Sequence, residues 1–353
     1  MLAAVSVPAS AQSNVTLYGI VDTGVAYVSK VAHSATVETV DGADLPSLFG
    51  MTGTEDLGGG TSAIFKLENG FSPSKGTQRN PTVFFDRQAY VGFSNPVYGT
   101  LTMGHMTSLE FDMISPLHSA GWTAGSLFLF HPGNFDDLYD SHSLDSSIKY
   151  RSPVFKGLQL GLMYGGLTGG QPGDAAYARA YQAVATYQIG GFSASAFYGS
   201  ENHRPLMVLG MTGATTLFGR PLTAAPFVTD NVKNIAAGLR YASGGFIYAA
   251  LFTQTRISYH GQRSNVENYD LSASWQATPF LTLAAGFNQM HFVGNVTNTG
   301  GLTLNYQLSK STGLYAAEVF QRAADGYSAD ITGVSPAGSR SQNVFMVGMH
   351  HLF

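Results

Sequence analysis

The sequence predicts an all-β fold, specifically a transmembrane barrel of sixteen antiparallel strands. Three observations support this prediction. Segments of alternating apolar and polar residues recur from end to end, short turns alternate with long loops, and only 11% of the residues are charged. A soluble domain usually carries about a quarter of charged residues. The low charge therefore favours a protein whose outer face contacts lipid.

Alternation with period two is clearest in the segments 15–27, 234–241, 269–276 and 302–308. In the second of these, Ile235, Leu239 and Tyr241 share one face, and Asn234 lies on the other. This pattern is typical of strands with one apolar face. The polar faces carry mostly amides, hydroxyls and glycine, which fits a water-filled interior. Several apolar faces end in aromatic residues, as the interfacial girdle of a membrane barrel requires.

The connections give the number of strands. Seven short links are predicted at 57–60, 94–99, 152–157, 189–192, 242–246, 277–280 and 308–313. Eight longer links are predicted at 30–45, 72–82, 107–146, 167–177, 200–231, 258–266, 293–300 and 324–341. Fifteen connections join sixteen strands, with short turns on the periplasmic side and long loops on the extracellular side. A barrel of this width leaves an aqueous channel.

The connection at 107–146 is the longest. It contains Trp122 and the run from Leu127 to Phe130, which is too apolar for a disordered segment. We expect it to fold into the barrel as a constriction loop that narrows the lumen. The alternative is that it packs on the rim or contacts a neighbouring subunit. The loop at 200–231 is also apolar, and the sequence assigns it no role.

The two ends of the chain have distinct patterns. Residues 1–11 end in Ala9-Ser10-Ala11, which resembles a signal-peptide cleavage site, so we expect a signal-peptide remnant there and a barrel domain over 12–353. A disordered tail is the alternative for residues 1–11. The segment NVFMVGMHHLF alternates up to Phe353, which predicts a last strand that pairs with the first. The sequence contains no cysteine, which suits an envelope protein that crosses an oxidising periplasm.

Six segments carry a family resemblance. They are VTLYGIVDTGV, GTEDLGGGTSAIFKLENGF, DRQAYVGFSNPVYGTLTMG, IKYRSPVFKGL, YQLSKSTGLY and VGMHHLF, in that order along the chain. Together they resemble the trimeric general porins of β-proteobacteria, of the Neisseria, Burkholderia and Comamonas type. The resemblance implies a homotrimer in the cell outer membrane whose barrels pass small hydrophilic solutes and ions by passive diffusion. It also implies contact with outer-membrane lipid and lipopolysaccharide, and an assembly machinery that reads Phe353 as a signal.

The resemblance and the charge pattern together suggest a pore constriction with opposed charges. The predicted wall residues are Arg87, Lys149, Arg151 and His105, and the predicted loop residues are Glu110, Asp112, Asp136, Asp137 and Asp140. Opposite charges across a narrow lumen produce a transverse field that filters ions. The alternative is that ion pairs among these groups hold the loop against the wall. We also expect Asp22, Lys66 and Glu68 to face the lumen.

Charge selectivity is expected to be weak. Related porins often carry arginine at the positions that Leu48, Thr52, His105, His350 and Leu352 occupy in this sequence. Basic and acidic candidates at the constriction therefore nearly balance.

Other functions receive less support from the sequence. There is no G-x-S-x-G nucleophile motif and no histidine spacing typical of a metal site, so we expect neither an enzyme nor a cofactor. The sequence contains no Lys/Arg cluster for nucleic acid. Two alternatives stay open, a substrate-specific channel and a structural or adhesive barrel with a plugged lumen. The first is disfavoured because Tyr18 and Tyr248, taken as inward aromatics, form no evident series for sugar binding.

Overall fold

The computed structural model describes residues 14–31, 34–122, 126–139, 142–166 and 179–353, so the predicted signal-peptide remnant at 1–11 lies outside the described residues. The barrel strands are β1 Asn14–Val31, β2 Ser34–Asp41 continued by Leu48–Asp56, β3 Ser62–Ser72, β4 Gln88–Asn95, β5 Gly99–Thr107, β6 Ser143–Arg151, β7 Leu158–Gly165, β8 Ala180–Ile189, β9 Phe192–Asn202, β10 Asn231–Ser243, β11 Phe246–Tyr259, β12 Gln262–Thr278, β13 Leu281–Phe292, β14 Asn295–Gln307, β15 Thr312–Arg322 and β16 Ser341–Leu352.

These strands form one closed barrel. Each strand pairs antiparallel with the next, and both pieces of β2 pair with β1. The sheet closes where β16 pairs with β1, from Ile20 opposite Leu352 to Val28 opposite Val344. The predicted sixteen-stranded antiparallel barrel is therefore confirmed. Closure leaves no open sheet edge between the first and last strands.

The two faces of the sheet follow the predicted alternation. On β10, Ile235, Leu239 and Tyr241 are exposed on the outer face, whereas Asn234 is buried on the inner face. Tyr248 lies opposite Tyr241 and is half exposed on the outer face, so the interpretation of Tyr248 as an inward aromatic was wrong. Among the described residues, no helix has the length and apolar character needed to span a membrane.

Three of the predicted long connections are much shorter than expected, which corrects the links expected at 30–45, 258–266 and 293–300. β1 ends at Val31 and β2 begins at Ser34. The hairpins β11–β12 and β13–β14 turn at His260-Gly261 and Val293-Gly294, where all four residues have positive φ between 46° and 77°. Two successive residues of positive φ give the turn whose twist matches a hairpin. His260 and Val293 rarely adopt this conformation, so the sequence did not signal these turns.

The extracellular loop at 203–230 also folds inward, above the upper ends of the strands. Leu206 and Leu217 from this loop are buried together with Ile257 and Met290, which point inward from β11 and β13. This contact explains the apolar content of the loop, which had no role at the sequence level.

Candidate functional site: the lumen constriction

The connection between β5 and β6 forms the constriction loop. It contains one short α-helix, α1 Leu109–Met113, and three short 3-10 helices at Ser115–Leu117, Ser119–Trp122 and Ser126–Leu129. Ser108 caps α1, because its side chain accepts a hydrogen bond of 3.0 Å from the Phe111 backbone N–H. The loop therefore has a defined backbone in its described parts.

Apolar packing holds this loop inside the barrel. Leu109, Ile114 and Leu129 are completely buried, and they belong to one apolar cluster with the inward residues Val184 and Leu251 of the wall. Burial of each such side chain contributes about 2 kcal/mol. The predicted inward fold of the loop is confirmed, and its physical reason is the apolar content already visible in the sequence.

Hydrogen bonds from distant strands fix the path of the loop across the lumen. Asn234 Nδ2 of β10 donates to Glu110 Oε2 at 2.9 Å, and Asn288 Nδ2 of β13 donates to the Leu129 carbonyl oxygen at 3.0 Å. The backbone N–H of Leu127 donates to the Ala43 carbonyl oxygen at 3.0 Å. The loop thus starts at β5 and contacts strands on the far side of the barrel.

Three of the predicted loop carboxylates of the constriction do not face the lumen as expected, but lie behind the loop. Glu110, Asp136 and Asp137 are buried between the loop and the wall. The wall supplies some of their polar partners, because the hydroxyl of Thr253 donates to Asp136 Oδ2 at 2.5 Å and Asn234 Nδ2 donates to Glu110 Oε2. They hold the loop in place, as the alternative interpretation of the charges proposed. Asp140 lies outside the described residues.

Burial changes the protonation of these loop groups. Loss of hydration raises the pKa of Asp137 to about 7 and raises the pKa of Glu110 well above its usual range. Asp136 differs, since His131 Nδ1 lies 2.6 Å from its Oδ2 atom. Burial disfavours the charged forms of Asp136 and His131, but the attraction between the two charges is the stronger effect. It lowers the pKa of Asp136 and raises the pKa of His131 to about 9. The pair is charged at neutral pH.

A network on the wall centres on Glu68. Its carboxylate accepts hydrogen bonds from Arg87 Nε at 2.6 Å and from the Tyr18 hydroxyl at 2.7 Å, and Lys66 Nζ lies 2.9 Å away. Glu68 and Arg87 are buried, whereas Lys66 is partly exposed to the lumen. Lys66 lines a cavity between the constriction loop and the wall, and Glu68 lies beside it. Tyr18 belongs to the same network, a partnership that spacing along the sequence did not indicate.

Lys149 connects the wall to the constriction loop. Its Nζ atom donates to Asp112 Oδ2 at 2.8 Å and to the Thr107 carbonyl oxygen at 2.6 Å. The Thr107 hydroxyl in turn donates to Asp112 Oδ1 at 2.8 Å. Of the predicted loop carboxylates that the structure describes, Asp112 contacts the open lumen. It faces a cavity that Arg151 also lines.

That cavity is the polar opening between loop and wall. Its volume is about 490 Å³, and its lining includes Lys66, Tyr90, Phe111, Asp112 and Arg151. A second polar cavity of about 660 Å³ lies towards the short turns. Amide and hydroxyl side chains line it, among them Gln276, Thr282, Asn305 and Gln307. Gly121 of the loop borders both cavities, so polar space lies on both sides of the loop.

Two predicted lumenal residues have other surroundings. His105 follows Leu101 and Met103 on the outer face of β5, and its Nδ1 atom lies 2.6 Å from Asp145 Oδ1. The prediction that His105 lies on the lumenal wall of the constriction was wrong. Residues two apart on a strand share a face, so His105 lies on the outer face with Leu101 and Met103. Asp22 points inward as expected but is completely buried under segment 42–47, which interrupts β2.

Asp22 anchors this interruption. Its carboxylate accepts hydrogen bonds from the backbone N–H groups of Ala43 at 3.2 Å and Leu45 at 3.0 Å, and from the Tyr315 hydroxyl at 2.8 Å. The segment 42–47 thus extends into the lumen, where Asp44 and Leu45 line the second cavity. The role of Asp22 is to position this segment.

Phe353 completes the closure of the barrel. Its backbone N–H and carbonyl oxygen exchange hydrogen bonds of 3.0 Å with Gly19 of β1. Its ring lies over Gly19 on the outer face, in the space that any larger side chain there would need. The ring itself is exposed, together with Phe345, Val347 and Met349 on the same face.

Comparison with known proteins identifies the family. A family model described as Gram-negative porin matches residues 1–324 of the chain. The chain belongs to the Gram-negative porin family. It is therefore an outer-membrane protein, as its relatives are by name. The family resemblance of the six sequence segments is confirmed.

Individual relatives match over part of their length. An outer membrane porin protein of Bordetella pertussis is 26% identical over 297 residues, which cover 78% of this porin and 64% of that protein. The major outer membrane protein P.IB of Neisseria meningitidis serogroup B is 32% identical over 166 residues, 45% of this porin and 46% of that protein. This porin thus covers less than two thirds of either relative.

Solved structures share the fold. An anion-selective porin from Comamonas acidovorans superposes with a TM-score of 0.78 at 24% identity, covering 97% of this porin and all of that chain. OmpT of Vibrio cholerae, in a trimer form, superposes with a TM-score of 0.70 at 14% identity over 97% of this porin. At these identities the likeness concerns the fold alone.

Proposed function

We propose that this porin is a passive, water-filled pore that lets small hydrophilic solutes and ions cross the outer membrane. The observation that carries the proposal is the polar opening of about 490 Å³ that remains between the constriction loop and the wall. An apolar face of the loop is buried against the barrel, while Lys66, Asp112 and Arg151 border the opening. Such a lining favours hydrated solutes over apolar ones.

The charges around this opening support a modest preference for anions. Four cationic groups, Arg87, Lys66, Lys149 and Arg151, lie along the wall, against the two carboxylates of Glu68 and Asp112. Buried pairing neutralises most of this charge, since Arg87 binds Glu68 and Lys149 binds Asp112. The remaining excess of positive charge comes from Lys66 and Arg151. We therefore propose weak selectivity, with the sign set by these two groups.

Planar lipid bilayers test the pore directly. Purified, folded protein should give stepwise ohmic conductance, and a gradient of KCl should give a small reversal potential of the sign that chloride preference requires. Folded protein that inserts without conductance would contradict the proposal and favour the adhesive barrel with a plugged lumen. Saturation of conductance by one particular sugar would instead favour a substrate-specific channel.

We further propose a homotrimer. The outer face carries a continuous apolar surface, including Val15, Leu17, Val91 and Phe93 on β1 and β4, which requires lipid or a neighbouring barrel as cover. We expect conductance steps grouped in threes in planar bilayers. Chemical cross-linking should give a species of three times the monomer mass. Outer-membrane lipid, lipopolysaccharide and the assembly machinery that reads Phe353 are the further partners we propose. We propose no catalytic activity.

A further inference from the structure

Three side chains with metal-binding chemistry meet where the constriction loop contacts the barrel wall. His118 and His131 belong to the loop, and Asp270 points inward from β12. All three are buried, and one ligand atom from each lies within 4.8 Å of the other two. We propose that these residues bind a divalent transition-metal ion, with Zn²⁺ as the best fit, and that the ion fastens the constriction loop to β12.

The distances fit such an ion. His118 Nε2 lies 3.4 Å from Asp270 Oδ2, and His131 Nε2 lies 3.8 Å from the same oxygen. Ligands at about 2.1 Å from a tetrahedral Zn²⁺ are separated from each other by about 3.4 Å. The second distance is that of an ion pair, longer than a hydrogen bond and slightly longer than the separation of two zinc ligands. Small movements of the two rings would bring the three ligand atoms to coordination distance, and a water molecule would supply the fourth tetrahedral ligand.

Neighbouring groups orient the ligands in the manner of a metal site. His131 Nδ1 faces Asp136 Oδ2 at 2.6 Å, which directs Nε2 towards Asp270. A carboxylate on the remote nitrogen is the usual support of a metal-binding histidine. Asp270 is fixed as well, because the backbone N–H and the hydroxyl of Ser119 donate to its two oxygens at 3.0 and 2.7 Å.

The charge balance supports the same conclusion. Asp136 and Asp270 place two buried carboxylates beside His118 and His131. A divalent cation balances the two carboxylates, because buried charges are paired or bound to metal ions. Imidazole nitrogens favour Zn²⁺ and its neighbours in the transition series over Mg²⁺ or Ca²⁺, which prefer oxygen ligands.

A second group of candidate ligands within the described residues, Asp22, Asp44 and His350, carries no such proposal. The carboxylate of Asp22 already accepts two backbone hydrogen bonds and one from Tyr315. Asp44 Oδ2 lies 2.7 Å from His350 Nδ1, a direct contact that leaves no room for an ion between the two atoms.

Metal content after refolding tests the proposal. Because the site is buried, the full chain is refolded in detergent with Zn²⁺, passed over a desalting column and analysed for bound zinc. We expect about one ion per chain in the unaltered protein and at least a tenfold reduction in His118→Gln and His131→Gln. The matched control is His142→Gln, which changes a histidine of the same loop that pairs with Glu201 outside the group. It should retain the ion.

Two outcomes would overturn the assignment, namely no retained zinc in the unaltered protein, or equal retention in all variants. A spectroscopic measurement covers the case in which a variant fails to fold. Zinc X-ray absorption on the unaltered protein should show two imidazole nitrogens and one carboxylate oxygen at about 2 Å, with one further oxygen as the fourth ligand of tetrahedral zinc. A shell of oxygen ligands alone would place the ion elsewhere. Heat-dependent gel mobility reports which variants are folded.

Discussion

Replacement of Asp112 by asparagine should increase the preference of the pore for anions. The change removes one negative charge from the edge of the polar opening and keeps the size of the side chain. Lys149, whose Nζ lies 2.8 Å from Asp112, then adds a cationic charge without its carboxylate partner. Attraction of anions and repulsion of cations should both increase.

The size of the cavity sets the expected magnitude. A cavity of about 490 Å³ has a radius of about 5 Å, so an ion at its centre interacts with the Asp112 charge by about 0.8 kcal/mol in water. At an ionic strength of about 0.1 M, screening reduces this to about 0.5 kcal/mol. The concentration of each ion then changes roughly twofold in opposite directions. The ratio of chloride to potassium permeability should rise about fivefold.

Reversal potentials in a KCl gradient measure this ratio. The control is Asp56→Asn at the end of β2, because Asp56 lies four residues beyond Thr52, which is the partner of Lys66. Four residues of a strand span about 13 Å, more than one Debye length in the same salt. An unchanged reversal potential in Asp112→Asn, or an equal shift in the control, would refute the electrostatic reasoning. Repetition at about 1 M salt should greatly reduce the effect.

Three other variants test separate parts of the structure. Arg87→Gln leaves the buried Glu68 without its arginine, so the folded protein should lose roughly 3 kcal/mol of stability. Unaltered thermal unfolding together with unaltered conductance would show that the Arg87–Glu68 pair has no role. Gly19→Ala should reduce the yield of folded barrel in gel-mobility assays, because the added Cβ atom meets the ring of Phe353. The double variant with Phe353→Ala should also give a low yield, since we propose that the ring serves assembly. Asp137 has a pKa of about 7 in the fold, above its unfolded value. The stability that its protonated form contributes is therefore present at low pH and lost as the pH rises towards 7, and Asp137→Asn should flatten thermal stability over that range; an unchanged pH profile would refute this origin.

Much of the barrel followed from local patterns. The alternation around Ile235 and Leu239 determines which side chains face outwards, because a strand has a strict period of two. The apolar run from Leu127 to Phe130 requires burial, which determined that the constriction loop folds inward. His105 is instructive, since the same period, applied from Leu101 and Met103, already places it on the outer face.

Tertiary structure decided the contacts that depend on distant segments. Glu110 and Asp112 are two residues apart and Asp136 belongs to the same loop, yet Asp112 faces the opening whereas Glu110 and Asp136 face the wall. Their environments depend on which wall residue lies opposite, and that follows from the route of the loop across the lumen. No local pattern encodes this route.

The sequence by itself determined a lipid-facing, sixteen-stranded barrel with an inward loop, because periodicity and apolar content act through the nearest neighbours along the chain. The tertiary structure alone decided the sites. His118, His131 and Asp270 meet across about 150 residues of chain only because the closed barrel brings β12 under the loop. The tight turn at Val293 likewise depends on the paired strands around it, which outweigh the conformational preference of the residue itself.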